Sequence, residues 1–161
     1  MSEQTTGVDA RGYLAGWLDA VTHMTIADVK AIPDDKWTAA HGGCARPANE
    51  LLGDTITNLK WTTETINGIE SSAYNNMAAE SAACADKETA ITALTEASAA
   101  LAAAIRGASD DQLNRVAMAP WQMATPVMVL AHIAVSHIWY HDGQLNYIQG
   151  LLGDGEVHWM A

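Results

Sequence analysis

The sequence predicts an all-α protein: a single-domain four-helix bundle, spanning residues 1–161, with long connections between its helices. Four segments carry apolar residues at three- and four-residue spacing, which is the periodicity of an amphipathic helix. No stretch alternates with a period of two over the length of a strand. The chain has 161 residues, of which 49% are hydrophobic, so it can bury a substantial core.

The first two helices are predicted over about 8–31 and 47–70. Pro33 ends the first, and Pro47 occupies a favoured first position of the second, which we expect to fray near Gly68. The apolar stripes that define them are Tyr13, Leu14, Trp17, Leu18, Val21 and Met24 in the first helix, and Leu52, Ile56, Leu59 and Ile66 in the second.

The last two helices are predicted over about 87–106 and 126–152. Asp86 is the expected N-cap of the third, and Gly107 its stop. Thr125 and Pro126 are the expected N-cap and first residue of the fourth. The connections over roughly 32–46, 71–85 and 107–124 are longer than an up-and-down bundle needs, so they can cross or cap its ends.

Charge and composition exclude several classes of function. The net charge is −11 with only eight lysines and arginines, and no basic cluster occurs, which argues against nucleic acid and anionic membranes as partners. The sequence contains no run of eighteen or more apolar residues, so it predicts no membrane-spanning helix. The start of the chain lacks the pattern of a secretory signal. Cys44 and Cys84 form no metal-binding or redox motif, and we expect free thiols in a reducing cytoplasm.

Two histidines in the fourth predicted helix lie on a stripe of otherwise core-type residues. His137 and His141 are one turn apart, so both side chains can reach one metal ion, and Gln144 follows on the same face. The stripe reads Leu130, Ala134, His137, His141, Gln144 and Ile148. Two core histidines that hydrogen bond to their neighbours would give the same pattern, so both interpretations stay open. Gly143 is expected to leave a gap for close packing.

The remaining histidines do not extend this stripe. His132 points about 140° away from His137 around the helix. His23 lies opposite the apolar face of the first helix and is expected in solvent. His41 and His158 fall in a loop and in the tail, where nothing in the sequence supports a ligand role.

The segment LAHIAVSHIWYHDGQLNYIQGLLG resembles the C-terminal helix of the DinB/YfiT-like superfamily, in which an HxxxH pair is followed by Gly-Gln. Pro120-Trp121 and PANELLGDTITNLKW are further points of similarity. The resemblance implies a four-helix bundle, usually a homodimer, with a divalent metal near one end. The family's usual ligands are the HxxxH pair, here His137 and His141, and one second-helix histidine, whose position holds Asp54 in this chain.

Aspartate is a competent ligand, so the resemblance implies an Asp54–His137–His141 site with open positions for water or substrate. The alternative is an exposed carboxylate, because Asp54 falls more than about 100° from the apolar centre of its helix. Glu50, one turn earlier, is either a partner or base of the site or a first-turn acid that favours the helix dipole. Gln144 would orient a ligand or a histidine.

Trp121 and Met123 precede the fourth helix and are expected to pack, although they could instead line a pocket mouth. Trp159 is expected to fold back on the bundle or to form a dimer contact.

The resemblance implies a metal-dependent enzyme acting on a small molecule. Zn or Ni, or else Mn or Fe, would activate either a low-molecular-weight thiol, as in the family's thiol S-transferases and a thiol-dependent isomerase, or water, as in a hydrolase. The alternatives are a degenerate, non-catalytic bundle that binds a small ligand or a partner, and an interaction protein with a structural metal. Losing the second-helix histidine favours the non-catalytic interpretation.

Overall fold

The computed structural model of the protein describes residues 9–160. Residues 1–8 and 161 of the predicted domain, including the predicted start of the first helix, lie outside the described residues. The helices are α1 (Ala10–Ala31), α2 (Asp34–Trp37), α3 (Ala48–Ile66), α4 (Met77–Ala83), α5 (Lys87–Gly107), α6 (Asp110–Asn114) and α7 (Val127–Leu151), with 3-10 turns at Ala73–Asn76 and His158–Met160. The predicted all-α fold is therefore confirmed.

The four long helices α1, α3, α5 and α7 pack in a ring. Helix α1 contacts α5 and α7, and α3 contacts the same two helices from the opposite side. Helices α1 and α3 are therefore diagonal to each other, as are α5 and α7, whereas α3 and α5 are neighbours. The connections from α1 to α3 and from α5 to α7 have to cross an end of the bundle, which explains their length.

The core lies between these four helices. Its largest fully buried side chains are Trp37, Leu18, Ile32, Leu52, Ile56, Leu59, Ile66, Leu94, Leu101, Ile105, Leu130 and Ile138. Trp37 closes one end of the core, since its indole N–H donates to the Cys84 carbonyl at 2.7 Å. This bond ties the connection after α1 to the end of α4.

Helix α3 is covered on two faces rather than one. One face packs in the bundle, and α4 with the preceding 3-10 turn lies along another. The side-chain amide of Asn49 donates to the Ser81 carbonyl at 3.1 Å, and the backbone of Gly53 passes directly beside Ser81. Most polar residues of α3 outside its apolar stripe, such as Asn49 and Asn58, are therefore partly or wholly buried.

The observed helix ends correct three of the predicted ones. Helix α3 ends at Ile66 instead of residue 70, because Gly68 adopts a φ of +76° and the Ile69 N–H bonds back to the Glu64 carbonyl. This Schellman arrangement stops the helix sharply. Gly107, predicted as the stop of the third helix, is instead its last residue, and the fourth ends at Leu151 rather than 152.

A short hairpin precedes α7, and the sequence did not predict it. Strands β1 (Val116–Met118) and β2 (Ala124–Pro126) pair antiparallel. Thr125 and Pro126 were predicted as the N-cap and first residue of the last helix. Instead both belong to β2, Pro126 is the cap residue, and no side chain caps α7. Three-residue strands are too short to show a period-two pattern.

Several residues expected in contact with the core are exposed. Tyr13 and Trp17 lie at the edge of the buried face of α1, with 71% and 43% of their surface accessible, and Trp17 packs on Trp139 of α7 instead. Gly143 faces open space rather than a close neighbour. None of the described helices is both long and apolar enough to span a membrane.

Candidate metal centre

Asp54, His137 and His141 come together where α3 packs against α7. Asp54 lies on α3, and the two histidines lie one turn apart on α7. His141 Nε2 is 3.2 Å from His137 Nε2 and 3.3 Å from Asp54 Oδ2, and His137 Nε2 is 4.0 Å from Asp54 Oδ1. All three can offer one donor atom within 4.8 Å of the others. The structure thus brings together the three residues predicted as ligands.

The spacing of these atoms fits one small cation. Zn–N and Zn–O bonds of about 2.0–2.2 Å in a tetrahedral arrangement separate neighbouring donors by roughly 3.4 Å. Two of the three donor distances are close to this value, and the third is slightly wider. One carboxylate and two imidazoles are also a donor set that Zn, Ni, Mn and Fe accept.

Gln144 orients His141. Its Oε1 is 2.7 Å from His141 Nδ1, and its side-chain amide donates to the Tyr140 hydroxyl at 3.2 Å. An amide oxygen can only accept, so Nδ1 carries the proton and Nε2 keeps its lone pair toward Asp54 and His137. Gln144 therefore takes the orienting role expected of it, toward a histidine.

The local charges hold the cluster in a form that can bind a cation. Burial opposes ionisation of Asp54, but the hydrogen bonds that its carboxylate accepts from a protonated His141 and from Arg46, together with the charge of a protonated His137, lower its pKa to about 2. Burial and the charge of His141, against the attraction of Asp54, lower the pKa of His137 to about 4. At neutral pH the carboxylate is therefore ionised and the His137 imidazole is neutral, as metal ligation requires.

The sequence did not identify Arg46 as part of the site. Its Nη1 donates to Asp54 Oδ2 at 2.9 Å. Arg46 precedes α3 in a connection, where helical spacing gives no information about neighbours. The one sequence feature that could have pointed to Arg46 is its position next to Pro47, at the start of the helix that carries Asp54.

Tyr74 and Asn58 were also missed. Asn58 is one turn after Asp54 on the same face of α3, and its amide donates to the Tyr74 hydroxyl at 2.7 Å. Burial and the charge of Asp54 raise the pKa of Tyr74. The phenol therefore lies within the electrostatic reach of the cluster and stays protonated.

Glu50 lies near the cluster without joining it. It lines a cleft of about 480 Å³ together with Arg46, Asp54 and Met77. The side chain is half-buried on the first turn of α3. Both interpretations, as a base near the site and as a helix-dipole acid, fit this position.

The other predicted residues lie apart from the cluster. His23 is exposed, as expected, His132 is exposed too, and His158 bonds to Asp154 at 2.8 Å. The turn that contains Trp159 packs on α1, one of the two positions expected for it. Trp121 and Met123, for which packing was expected, are 44% and 61% exposed on the hairpin, so that prediction was wrong.

The two cysteines take no part in the cluster either. Both are free thiols, with Cys44 exposed and Cys84 buried. Burial, together with the charge of Glu80, raises the pKa of Cys84 to about 11, so this thiol stays protonated.

Comparison with known proteins supports the fold. No protein-family model matches the sequence, and no curated protein matches it. The crystal structure of the mycothiol-dependent maleylpyruvate isomerase matches 84% of this chain with a TM-score of 0.64 and 12% identity. The match covers 60% of that protein, so this chain spans less than two thirds of its length. At this identity the likeness establishes a shared bundle fold.

Proposed function

We propose that the protein is a metal-dependent enzyme, with Asp54, His137 and His141 as the ligands of one divalent ion. The observation that carries this proposal is the convergence of these three side chains from two helices, with donor atoms at ligand spacing. Zn or Ni is the expected metal, with Mn or Fe as further candidates. Three protein ligands would leave coordination positions for a substrate, as in catalytic sites.

Each residue of the cluster has a defined part in this proposal. Asp54 supplies the negative charge, and the two neutral imidazoles supply nitrogen donors. Gln144 fixes the tautomer of His141 and the direction of its ring. A bound divalent ion would supply one chemical effect, which is to lower the pKa of a thiol or water beside it.

The nucleophile is proposed to be a low-molecular-weight thiol or water, directed at a small-molecule substrate. The solved isomerase with this fold is mycothiol-dependent by name, which favours a thiol. Glu50 lines the adjoining cleft, and we propose it as the base that a hydrolase needs. The reaction is thus proposed as thiol transfer first and hydrolysis second.

The alternative is a non-catalytic bundle that binds a small ligand or a partner. The feature that motivates it is the aspartate in place of the family's usual second-helix histidine. An aspartate that turned away from the histidines would support this alternative, but Asp54 faces both of them and is 17% exposed. The geometry therefore supports the enzyme better.

Metal content is the direct test. We expect mass spectrometry to find about one metal per chain after loading with Zn, Ni, Mn or Fe(II) in wild-type protein. Asp54→Ala, His137→Ala and His141→Ala should each lose it, because two ligands bind a cation far less tightly than three. His132→Ala, an exposed histidine on the same helix, is the matched control and should keep it.

The outcomes separate the two candidate functions. Metal lost in all three variants supports the enzyme and justifies assays of thiol transfer and hydrolysis. Metal retained in Asp54→Ala alone would remove Asp54 from the site. No metal under any loading would reject the enzyme and favour the non-catalytic bundle.

We also propose that the protein forms a homodimer through the outer face of α1 and α7. This face exposes Tyr13, Trp17, Trp139 and Tyr147, of which the two tryptophans pack together. Exposed aromatic residues are enriched in protein interfaces. The proposed compartment is the cytoplasm, where the thiols of Cys44 and Cys84 would stay reduced.

Sedimentation velocity tests the dimer. Wild-type protein should sediment as a dimer, and Trp139→Glu should shift it to a monomer by placing a charge in the interface. Val116→Glu, which changes an equally exposed apolar residue on the hairpin, should leave the dimer intact. A wild-type monomer at micromolar concentration would reject the proposal.

A further inference from the structure

Arg46 places a permanent positive charge directly beside the candidate metal centre. Its Nη1 donates to Asp54 Oδ2 at 2.9 Å, and the same oxygen is 3.3 Å from His141 Nε2. The guanidinium therefore shares the carboxylate oxygen that lies closest to the histidines. The Arg46 side chain is 40% exposed, so a molecule arriving from solvent can reach it.

The net charge of the metal-loaded centre favours the binding of an anion. Two neutral imidazoles and one carboxylate leave a divalent ion with one net positive charge, and Arg46 adds a second beside it. Like charges at this range repel, and the repulsion is relieved when an anion lies between them. The rest of the protein is acidic, with a net charge of −11, so the positive charge is local to this site.

The hydrogen bonding of Arg46 points to the same class of ligand. A guanidinium carries five N–H donors in a planar fork. Among the described residues, Asp54 is the one acceptor within hydrogen-bonding distance of Arg46. Arg46 also lines a cleft of about 480 Å³ together with Asp54, where a ligand can reach its side chain. An anionic oxygen forms the strongest hydrogen bonds with such donors.

The walls of the cleft narrow the choice further. Met77, Ala78 and Ala82 form an apolar side, which suits a short hydrocarbon chain. Glu50 lines the same cleft, and its carboxylate disfavours a ligand with a second negative charge. A small monocarboxylate therefore fits better than a phosphate.

We propose that the site takes a small carboxylate, with one oxygen directed at the Asp54–His137–His141 cluster and the other accepting hydrogen bonds from Arg46. The apolar part of this ligand lies against Met77 and Ala78. Arg46 is then a substrate-binding residue, and its charge makes the site prefer anions over neutral molecules of the same shape. This inference rests on the proposed metal-dependent function.

The test is calorimetric titration of the Co²⁺-loaded protein with butyrate, with the metal content measured in the same samples. Wild-type protein should bind butyrate more tightly than its neutral isostere butyramide. Arg46→Gln should keep its metal but bind butyrate about 10- to 100-fold more weakly, the loss expected for charge-assisted hydrogen bonds. Arg46→Lys should restore part of the affinity, since it keeps the charge without the fork.

Arg106→Gln is the matched control, because Arg106 pairs with an exposed aspartate on the surface and should not affect butyrate. Full metal content with unchanged butyrate affinity in Arg46→Gln would overturn the inference and leave Arg46 as a partner of Asp54 alone. Tighter binding of inorganic phosphate than of butyrate would overturn the choice of a carboxylate. A wild-type protein without metal would instead overturn the proposed function, and this inference with it.

Discussion

Gln144 controls which nitrogen of His141 faces the candidate metal centre. Its Oε1 accepts a hydrogen bond from His141 Nδ1 at 2.7 Å, which leaves the Nε2 lone pair free. Partners of this kind contribute about 10- to 100-fold to metal affinity in other sites. We therefore expect Gln144→Leu to weaken Zn²⁺ binding by at least about 10-fold, measured by competition with a chromophoric chelator.

Tyr140→Phe provides the control for this prediction. It removes the hydroxyl that accepts from the Gln144 amide and leaves Gln144 Oε1 on His141. Its Zn²⁺ affinity should stay close to that of the wild type. Equal losses in the two variants would mean that Gln144 acts through the local packing of α7 rather than through the tautomer of His141.

Individual site residues differ in how far the sequence could reveal them. His137 and His141 lie on one helix, so their shared face follows from helical geometry. The sequence could not decide whether Asp54 is a ligand or an exposed carboxylate. Its burial depends on α4 and α7, which cover a face of α3 that the apolar stripe does not mark. Arg46 reaches Asp54 from a connection, and no periodicity describes such a contact.

At the level of elements, Gly53 lets α4 approach α3. A Cβ at this position would lie 2.6 Å from both Ser81 Cα and Ser81 Oγ, which is closer than real atoms approach. In an exposed helix, Gly→Ala is favourable by up to about 1 kcal/mol. Here we expect Gly53→Ala to destabilise the protein by about 1–3 kcal/mol, because α4 has to move. Urea denaturation measures the change.

Gly143 is the matched position, since it is also inside a long helix but faces open space. Gly143→Ala should therefore stabilise the protein by about 0.5–1 kcal/mol in the same experiment. If both variants shift the urea midpoint in the same direction, the close packing of α3 against α4 is not the reason that position 53 requires glycine.

The long helices could be predicted because each buries a stripe that recurs with the helical period. Their ends were less predictable: α3 stops at the left-handed Gly68, two residues beyond its last helical residue, and α7 starts after a strand. The hairpin Val116–Pro126 was missed because three-residue strands pair through backbone atoms, which leave no pattern in the side chains.

At the level of the whole molecule, the order of the helices around the ring could not be predicted from the sequence. Amphipathic stripes show that each helix packs on others, but they do not show which ones. In this protein α1 lies beside α7, and polar residues in their interface form hydrogen bonds between these first and last long helices. The amide of Gln149 donates to the Asp28 carbonyl at 2.8 Å, and that of Asn146 to the Asp28 carboxylate at 2.9 Å.

This interface also buries two acids, Asp28 and Asp142, which are 0% and 3% exposed. Burial and the charge of Asp28 raise the pKa of Asp142 to about 7. The folded state thus holds a proton that the unfolded state releases above about pH 4. Stability should therefore fall as the pH rises from about 4 to 7 and level off above that range.

Asp142→Asn removes this proton uptake while keeping the shape of the side chain. We expect its melting temperature at pH 8, measured on chelator-treated protein, to exceed the wild-type value by at least about 3 °C, the shift that roughly 1 kcal/mol produces in a chain of this size. The gain should shrink as the pH falls toward 4, where Asp142 begins to bind a proton in the unfolded state as well. Asp19→Asn, an exposed acid of α1, should leave the pH dependence unchanged. A variant less stable than wild type at both pH values would show that the hydrogen bonds of the Asp142 side chain outweigh the cost of burying its charge.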